Sequence, residues 1–257
     1  QGKAFIIAVD ASIRTVLQAG VRPDLLCSID PNSPERFFTG LDTKEIFWAC
    51  NQLSNPTLLK KYAKHILYYG SFGKRWNNTI KKEVGYDFPS VTSGGSVSTE
   101  AFMIALHLGF RKIILIGQDL AFVGGKTHTS GVENAVRKYD EYLKRRHLVE
   151  GIDGTILQTD YQMWIYKQWF EKAIRINKES IRVIDATEGG ARIEGTEIQT
   201  LSNVIRTECT QEFSMYNIEK EIPPMFSEEK QQELLKTMKT IRNDIILFEN
   251  KVEKAIE

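Results

Sequence analysis

The stretch V-T-S-G-G-S-V-S-T-E (Val91–Glu100), followed by A-F-M-I-A-L-H-L (Ala101–Leu108), Gly109, R-K-I-I-L-I (Arg111–Ile116) and G-Q-D (Gly117–Asp119), decides the fold. Val91 closes an apolar lead-in, and the Ser/Thr/Gly run that follows is turn chemistry. The apolar spacing from Ala101 to Leu108 is helical, Gly109 is a C-terminal stop, and Arg111–Ile116 is β-rich. A strand, a glycine loop, a helix and a second strand in that order predict a parallel crossover unit.

Working outward, further short apolar runs end on polar or turn residues. Ala4–Val9 (AFIIAV) ends at Asp10, and Ser12 caps a short helix that runs through Ala19 and stops at Gly20. Leu25–Ile29 ends at Asp30-Pro31, Ile46–Cys50 at Asn51, and Ile66–Tyr69 at Gly70-Ser71. Beyond the central unit lie a polar Gly-rich loop (Val123–Gly131), an amphipathic helix from about Glu133 to His147, another from Tyr161 to Ile176, and a strand at Ile181–Ile184. The alternation predicts an α/β fold: a Rossmann-like, open, mostly parallel sheet flanked by helices, spanning residues 1–205.

Residues 206–257 are expected to form a C-terminal helical segment. From Glu228 the apolar residues Leu234, Met238, Ile241, Ile245, Phe248, Val252 and Ala255 alternate spacings of four and three, a heptad seam. Residues 227–257 hold seven acidic and six basic side chains, so the segment is nearly neutral. It reads as a bundle helix or an arm for self-association.

Composition narrows the function. The 257 residues are 42% hydrophobic and 26% charged, with 34 basic against 33 acidic residues and a formal charge of +1. That is a folded chain without the charge excess that drives binding to nucleic acid or anionic lipid. No apolar run approaches the roughly 20 residues of a membrane span, and no signal peptide precedes the first strand. Cys27, Cys50 and Cys209 lack metal-ligand spacing and read as buried thiols in a reducing, cytoplasmic setting. The chain opens on Gln1 and reaches a strand-like run by Ala4, which suggests an excised fragment.

In an open parallel sheet, ligands bind beyond the carboxyl ends of the strands, where loops diverge and helix N-termini present free N–H groups. The polar residues there are Asp10, Asp30, Asn51, Ser71, Ser93 and Asp119. A single Asp or Ser at such a place also serves as a helix cap. Thr92, Ser93, Gly94, Gly95 and Ser96 form a candidate anion cradle of close backbone, hydroxyls and a helix N-terminus, or else a tight turn. Gly117-Gln118-Asp119 faces the same crevice, where Asp119 could accept from sugar hydroxyls, hold Mg2+ beside phosphates or cap a turn. His128, in G-G-K-T-H-T-S-G, is a candidate general acid or base or a solvated loop residue. His65, His107 and His147 lie in segments read as structural. With no HxH, HxxE or CxxC pair, no transition-metal site is expected.

Four stretches in order, G-V-R-P-D-L-L-C-S-I-D-P (Gly20–Pro31), T-S-G-G-S-V-S-T-E-A (Thr92–Ala101), I-L-I-G-Q-D-L-A-F (Ile114–Phe122) with T-H-T-S-G (Thr127–Gly131), and D-A-T-E-G-G-A-R-I-E-G-T (Asp185–Thr196), resemble the bacterial motility accessory factors, which are flagellin glycosyltransferases. The resemblance covers nearly the whole sheet domain. It implies a cytoplasmic enzyme that moves a nonulosonic acid, pseudaminic or legionaminic acid, from its CMP-activated form to Ser or Thr of flagellin. The central domain of that family is MptE-like and similar to bacterial sialyltransferases that bind CMP-sialic acid without a metal. The resemblance therefore implies no cofactor beyond the CMP-sugar donor, with Asp10, Asp30, the Thr92–Ser96 loop and Asp119 at the nucleotide sugar; Gly117 and Gln118 join them from the same crevice, and Asp119 and His128 are the catalytic candidates.

The sequence departs from the family in two places. Family members carry a strand and a G-x-G-P-S-L loop ahead of the segment with which this chain opens. The sialyltransferase-like enzymes also take a histidine base from the stretch before a late helix, and Gly154–Asp160 has none, which leaves His128 as the substitute. Two other readings stand beside this one. A relative of the 6-hydroxymethylpterin diphosphokinases would transfer pyrophosphate from ATP with Mg2+ on Asp10, Asp30 and Asp119. A non-catalytic flagellin-binding or chaperone-like protein would use the heptad helix and the surface around Trp164 and Trp169.

Overall fold

The computed structural model describes residues 2–71, 78, 81–82, 89–122, 147–212 and 227–256. The chain divides into two compact units: Gln1–Phe72 with Pro89–Phe213, and Gly73–Phe88 with Ser214–Glu257.

The first unit is the expected α/β fold. Strands β1 (Ile7–Val9), β2 (Leu25–Cys27), β3 (Phe47–Cys50) and β4 (His65–Tyr68) form one sheet in sequence order, every pairing parallel. The short β5 (Gly70–Ser71) and β6 (Ser90–Val91) pair with each other, also in parallel. A third parallel group places β10 (Arg182–Asp185) between β7 (Lys112–Leu115) and β11 (Glu197–Ile198). Central strands of a parallel arrangement are covered on both faces, so they must be apolar throughout. Leu25, Leu26 and Cys27 of β2 are wholly buried, and Val183 and Ile184 of β10 nearly so.

Helices cover the strands: α1 (Ile13–Gln18), α2 (Pro56–Tyr62), α3 (Val97–His107), α4 (Tyr161–Asn177) and α5 (Leu201–Thr207). A core of Ile13, Leu26, Phe38, Ile46 and Trp48 closes one side of the first sheet. On the other, Ala101 and Ile104 of α3 pack on Leu25, Cys27 and Ala49. A larger core joins Phe102, Ile113, Leu115, Phe170 and Val183, and Ile7 of β1 packs against it. Phe5 and Phe110, just ahead of β1 and β7, stack with ring centroids 5.0 Å apart. The two strands thus start close to one another.

Four details differ from the sequence reading, each for a local reason. The first helix opens as a 3-10 turn at Asp10–Ser12 before α1, and Ser12 hydrogen-bonds back to Val9. Helix α3 starts at Val97, four residues before the expected Ala101, because Ser96 and Thr99 form a reciprocal capping box. His147, expected to end a helix, opens the strand β8 (His147–Glu150), which pairs antiparallel with β9 (Ile156–Thr159). That hairpin was hidden because its turn, Asp153-Gly154, lies between strands that are only half apolar. Cys27 and Cys50 are buried as expected, and burial pushes the Cys50 thiol up to about 12, but Cys209 is only half-buried. Val123–Gly131, His128 and the predicted helix up to residue 146 lie outside the described residues.

The amino ends of β7, β10 and β11 are joined by ion pairs. Arg182 meets Glu197 through Nε (2.7 Å) and Nη2 (2.6 Å) and reaches Glu208 at 2.8 Å, while Lys112 meets Glu208 at 2.5 Å. In the second unit, the heptad seam is one long helix, α6 (Glu228–Ile256).

Candidate functional site

The carboxyl ends of the parallel strands carry four polar groupings. After β1, Asp10 is 6% exposed, accepts from the Ala11 N–H (2.8 Å) and takes the Ser33 hydroxyl on its other oxygen (2.9 Å). Burial raises its carboxyl above the usual range, the hydrogen bonds oppose that, and nearby Asp30 adds a further rise. Asp30 itself is exposed, and one of its oxygens accepts from Asn32 N–H (2.8 Å). The structure therefore brings Asp10 and Asp30 together, with the Asp10 carboxylate turned inward onto Ser33.

After β3 and β4, Asn51 and Tyr69 both donate to the carboxylate of Glu100, which is 3% exposed in the first turn of α3. Desolvation and the Glu100 charge push the Tyr69 phenol up, so it stays a donor. Ser54 holds the same region by donating to Ser28 C=O (2.6 Å) and accepting from Asn51 N–H (3.0 Å). Beside them the carboxamide of Gln52 is buried with neither its nitrogen nor its oxygen partnered among the described residues. Glu100 was legible as part of the T-S-G-G-S-V-S-T-E motif, but its role was not. A glutamate in a first helical turn reads as a dipole partner until Asn51 and Tyr69 are seen to converge on it.

The Thr92–Ser96 loop enters α3 above this cluster. Gly94 N–H donates to Thr99 Oγ1 (2.9 Å) and Gly95 N–H to Ser93 Oγ (3.0 Å), so both amides are engaged within the loop. The close approach that Gly94 permits is made by Trp169 of α4: a Cβ there would stand 2.5 Å from the indole Cγ. Tyr166 donates its hydroxyl to Gly95 C=O (3.0 Å). Thr92 and Ser93 remain exposed. Ser93 Oγ, already accepting from Gly95, keeps its own proton to give to an anion.

The fourth grouping joins the loops after β7 and β10. Gln118 N–H donates to Thr187 Oγ1 (3.2 Å), Ala191 N–H to Asp119 C=O (2.7 Å), and Thr187 N–H to Asp185 Oδ1 (3.0 Å). Gly190, at φ +80°, lets the two loops touch: a Cβ would lie 2.3 Å from the Asp119 carbonyl oxygen. Gly117 also has a positive φ (69°). Among the described residues the non-glycine left-handed conformations are Leu120 (φ 50°) and Glu188 (φ 63°), and both sit in these loops. Backbone strain concentrates where a structure holds functional groups in place. Asp185 is 1% exposed, its Oδ2 has no partner among the described residues, and burial followed by the charge of Asp119 raises its carboxyl. Sequence reasoning ended the strand at Ile184 and left Asp185 out of the rim residues, although it follows an apolar run directly, as Asp10 does.

These features define an open α/β domain of Rossmann-like type with a polar rim at the carboxyl ends of its strands. Comparison with known proteins places it more closely. Residues 1–125 match the family model described as 6-hydroxymethylpterin diphosphokinase MptE-like. The fold is similar to that of the MAf glycosyltransferase from Magnetospirillum magneticum AMB-1, with a TM-score of 0.58 and 16% identity, over 92% of this chain and 33% of that one. An uncharacterized protein of Treponema pallidum (strain Nichols) is 51% identical over 41 residues, 16% of this chain and 10% of its own length. The chain thus spans a third or less of these relatives. The resemblance to the motility accessory factors is borne out for the MptE-like domain and the fold. Among the described residues, no helix is long and apolar enough to cross a membrane.

Proposed function

We propose that the chain is the nucleotide-sugar-binding part of a glycosyltransferase that moves a nonulosonic acid, pseudaminic or legionaminic, from its CMP-activated form to Ser or Thr hydroxyls of flagellin, without a metal. The observation that carries this reading is the fold likeness to a MAf glycosyltransferase across 92% of the chain. In the reaction the bond from the anomeric carbon to the phosphate oxygen breaks, and CMP leaves with the electron pair. The acceptor oxygen bonds to that carbon and gives up its proton. Such a displacement calls for donors toward the leaving phosphate and a base late in the reaction. The Thr92 and Ser93 hydroxyls at the entrance of α3 suit the phosphate or the sugar carboxylate. Asp119 suits sugar or ribose hydroxyls, with the buried Asp185 carboxyl behind it, and Asp10 and Asp30 complete the rim. His128 and Asp119 are the proposed proton acceptors.

Calorimetric titration tests this reading. Saturable CMP binding without metal, weakened by Ser93→Ala and by Asp119→Ala, supports it. Binding of ATP only in the presence of Mg2+ favours the second reading, a pterin diphosphokinase-like pyrophosphotransferase, for which the description of the family model matched by residues 1–125 speaks. The Asp10 carboxylate, 6% exposed and turned onto Ala11 and Ser33, would have to turn outward to reach Mg2+ beside a nucleotide. Silence toward both nucleotides would favour a non-catalytic binding protein.

A further inference from the structure

Helix α6 carries an apolar seam whose flanking charges choose both a partner and its direction. Taking Leu234 as position d of a heptad, Met238, Ile245 and Val252 fall at a and Ile241 and Phe248 at d. Leu234, Met238 and Ile241 are half-buried. Beyond them every residue from 242 to 254 is exposed, including Ile245 (54%), Phe248 (69%) and Val252 (41%). A seam with this spacing is the surface that a second helix covers by knobs-into-holes packing.

The residues bordering the seam are Arg242 and Glu249 at e and Asp244 and Lys251 at g. In a parallel pair, position g faces e of the next heptad, which sets Asp244 against the partner's Glu249, two like-charge contacts by symmetry. In an antiparallel pair g faces g and e faces e. With Ile245 opposite the partner's Phe248, Ile241 lies opposite the partner's Val252. Asp244 then meets the partner's Lys251 and Arg242 meets the partner's Glu249, and two-fold symmetry doubles each to make four opposite-charge pairs. The seam is self-complementary in one direction only, as an isologous interface requires.

We propose that this face binds a second copy of the chain, with the two α6 helices antiparallel and centred on the Ile245–Phe248 layer. Ile246 and Leu247, at b and c, stay outside the seam.

Sedimentation velocity on the full chain over a concentration series tests this, with circular dichroism to confirm that each variant keeps its helix. The wild type is expected to dimerise reversibly, Phe248→Glu to be monomeric, and Leu247→Glu to dimerise like the wild type. Asp244→Lys should weaken the dimer about tenfold, or about 1.4 kcal/mol, and adding Lys251→Asp to it should restore binding. The proposal is overturned if the wild type is monomeric up to its solubility limit, or if Leu247→Glu disrupts as strongly as Phe248→Glu. It is equally overturned if Asp244→Lys tightens the dimer, the outcome a parallel pair demands.

Discussion

Replacing Gly94 by alanine drives a methyl group into the ring of Trp169. The new Cβ would stand 2.5, 2.7 and 2.8 Å from Cγ, Cδ2 and Cδ1 of the indole, whereas carbon atoms rest at about 3.5–4.0 Å. About 1 Å of displacement must come from somewhere. The indole is held edge-on against Phe102 and Phe170, with centroids 6.2 and 5.5 Å away, so the loop has to move instead. Movement strains the Gly94 N–H bond to Thr99 Oγ1 and with it the capping box of α3. Overpacking costs about 1–3 kcal/mol and a lost cap about 1, so Gly94→Ala should lose about 2–4 kcal/mol. The assay is urea unfolding of Gly94→Ala, Trp169→Leu and the double variant. If the ring is the cause, the double variant is more stable than the sum of the two single losses predicts. A wild-type midpoint for Gly94→Ala, or strict additivity in the double variant, refutes the account.

Other positions give sharp expectations. Gly190→Ala, which combines a φ of +80° with a 2.3 Å clash on backbone, should destabilise more than Gly94→Ala in the same assay, since no side chain can yield. Asn55 caps α2 by accepting from Thr57 and Leu58 N–H, so Asn55→Ala should cost about 1 kcal/mol in chemical denaturation. The native Asp185 carboxyl lies above its unfolded value of 3.8. Its contribution to stability is therefore greatest below that value and falls as pH rises toward the raised native one, staying low above it. Asp185→Asn should flatten the decline of unfolding free energy with pH, and a slope identical to wild type would count against the burial argument. Under the glycosyltransferase reading, the same variant should weaken CMP-sugar binding more than CMP binding, as measured by calorimetry.

The sheet was legible because its strands are apolar enough to announce themselves: Leu25–Cys27, Phe47–Cys50 and Lys112–Leu115 emerge within two residues of their expected ends. The β8–β9 hairpin was not, since Leu148 and Ile156 face solvent and break the alternation that marks a half-buried strand. At the rim, Asp10, Asp30 and Asp119 could be read from position alone. The partners that make or limit their chemistry, Ser33 for Asp10 and the Ala191 and Gly190 backbone for Asp119, come from segments far along the chain. Glycine was read as room for a ligand at Gly94, yet the occupant is Trp169, 75 positions away. A sequence shows that space is needed and not what fills it.

The ion pairs of Lys112, Arg182, Glu197 and Glu208 sit at the opposite pole of the strands from the polar rim. These ion pairs and the rim are therefore at opposite ends of the same 4-residue strands β7 and β10. Exposed rim side chains such as Asp30, Thr92 and Ser93 can be exchanged during evolution without touching those ion pairs. The same separation suits the domain to redesign: a library confined to the carboxyl-end loops would sample new ligands on a scaffold whose clasp it never touches.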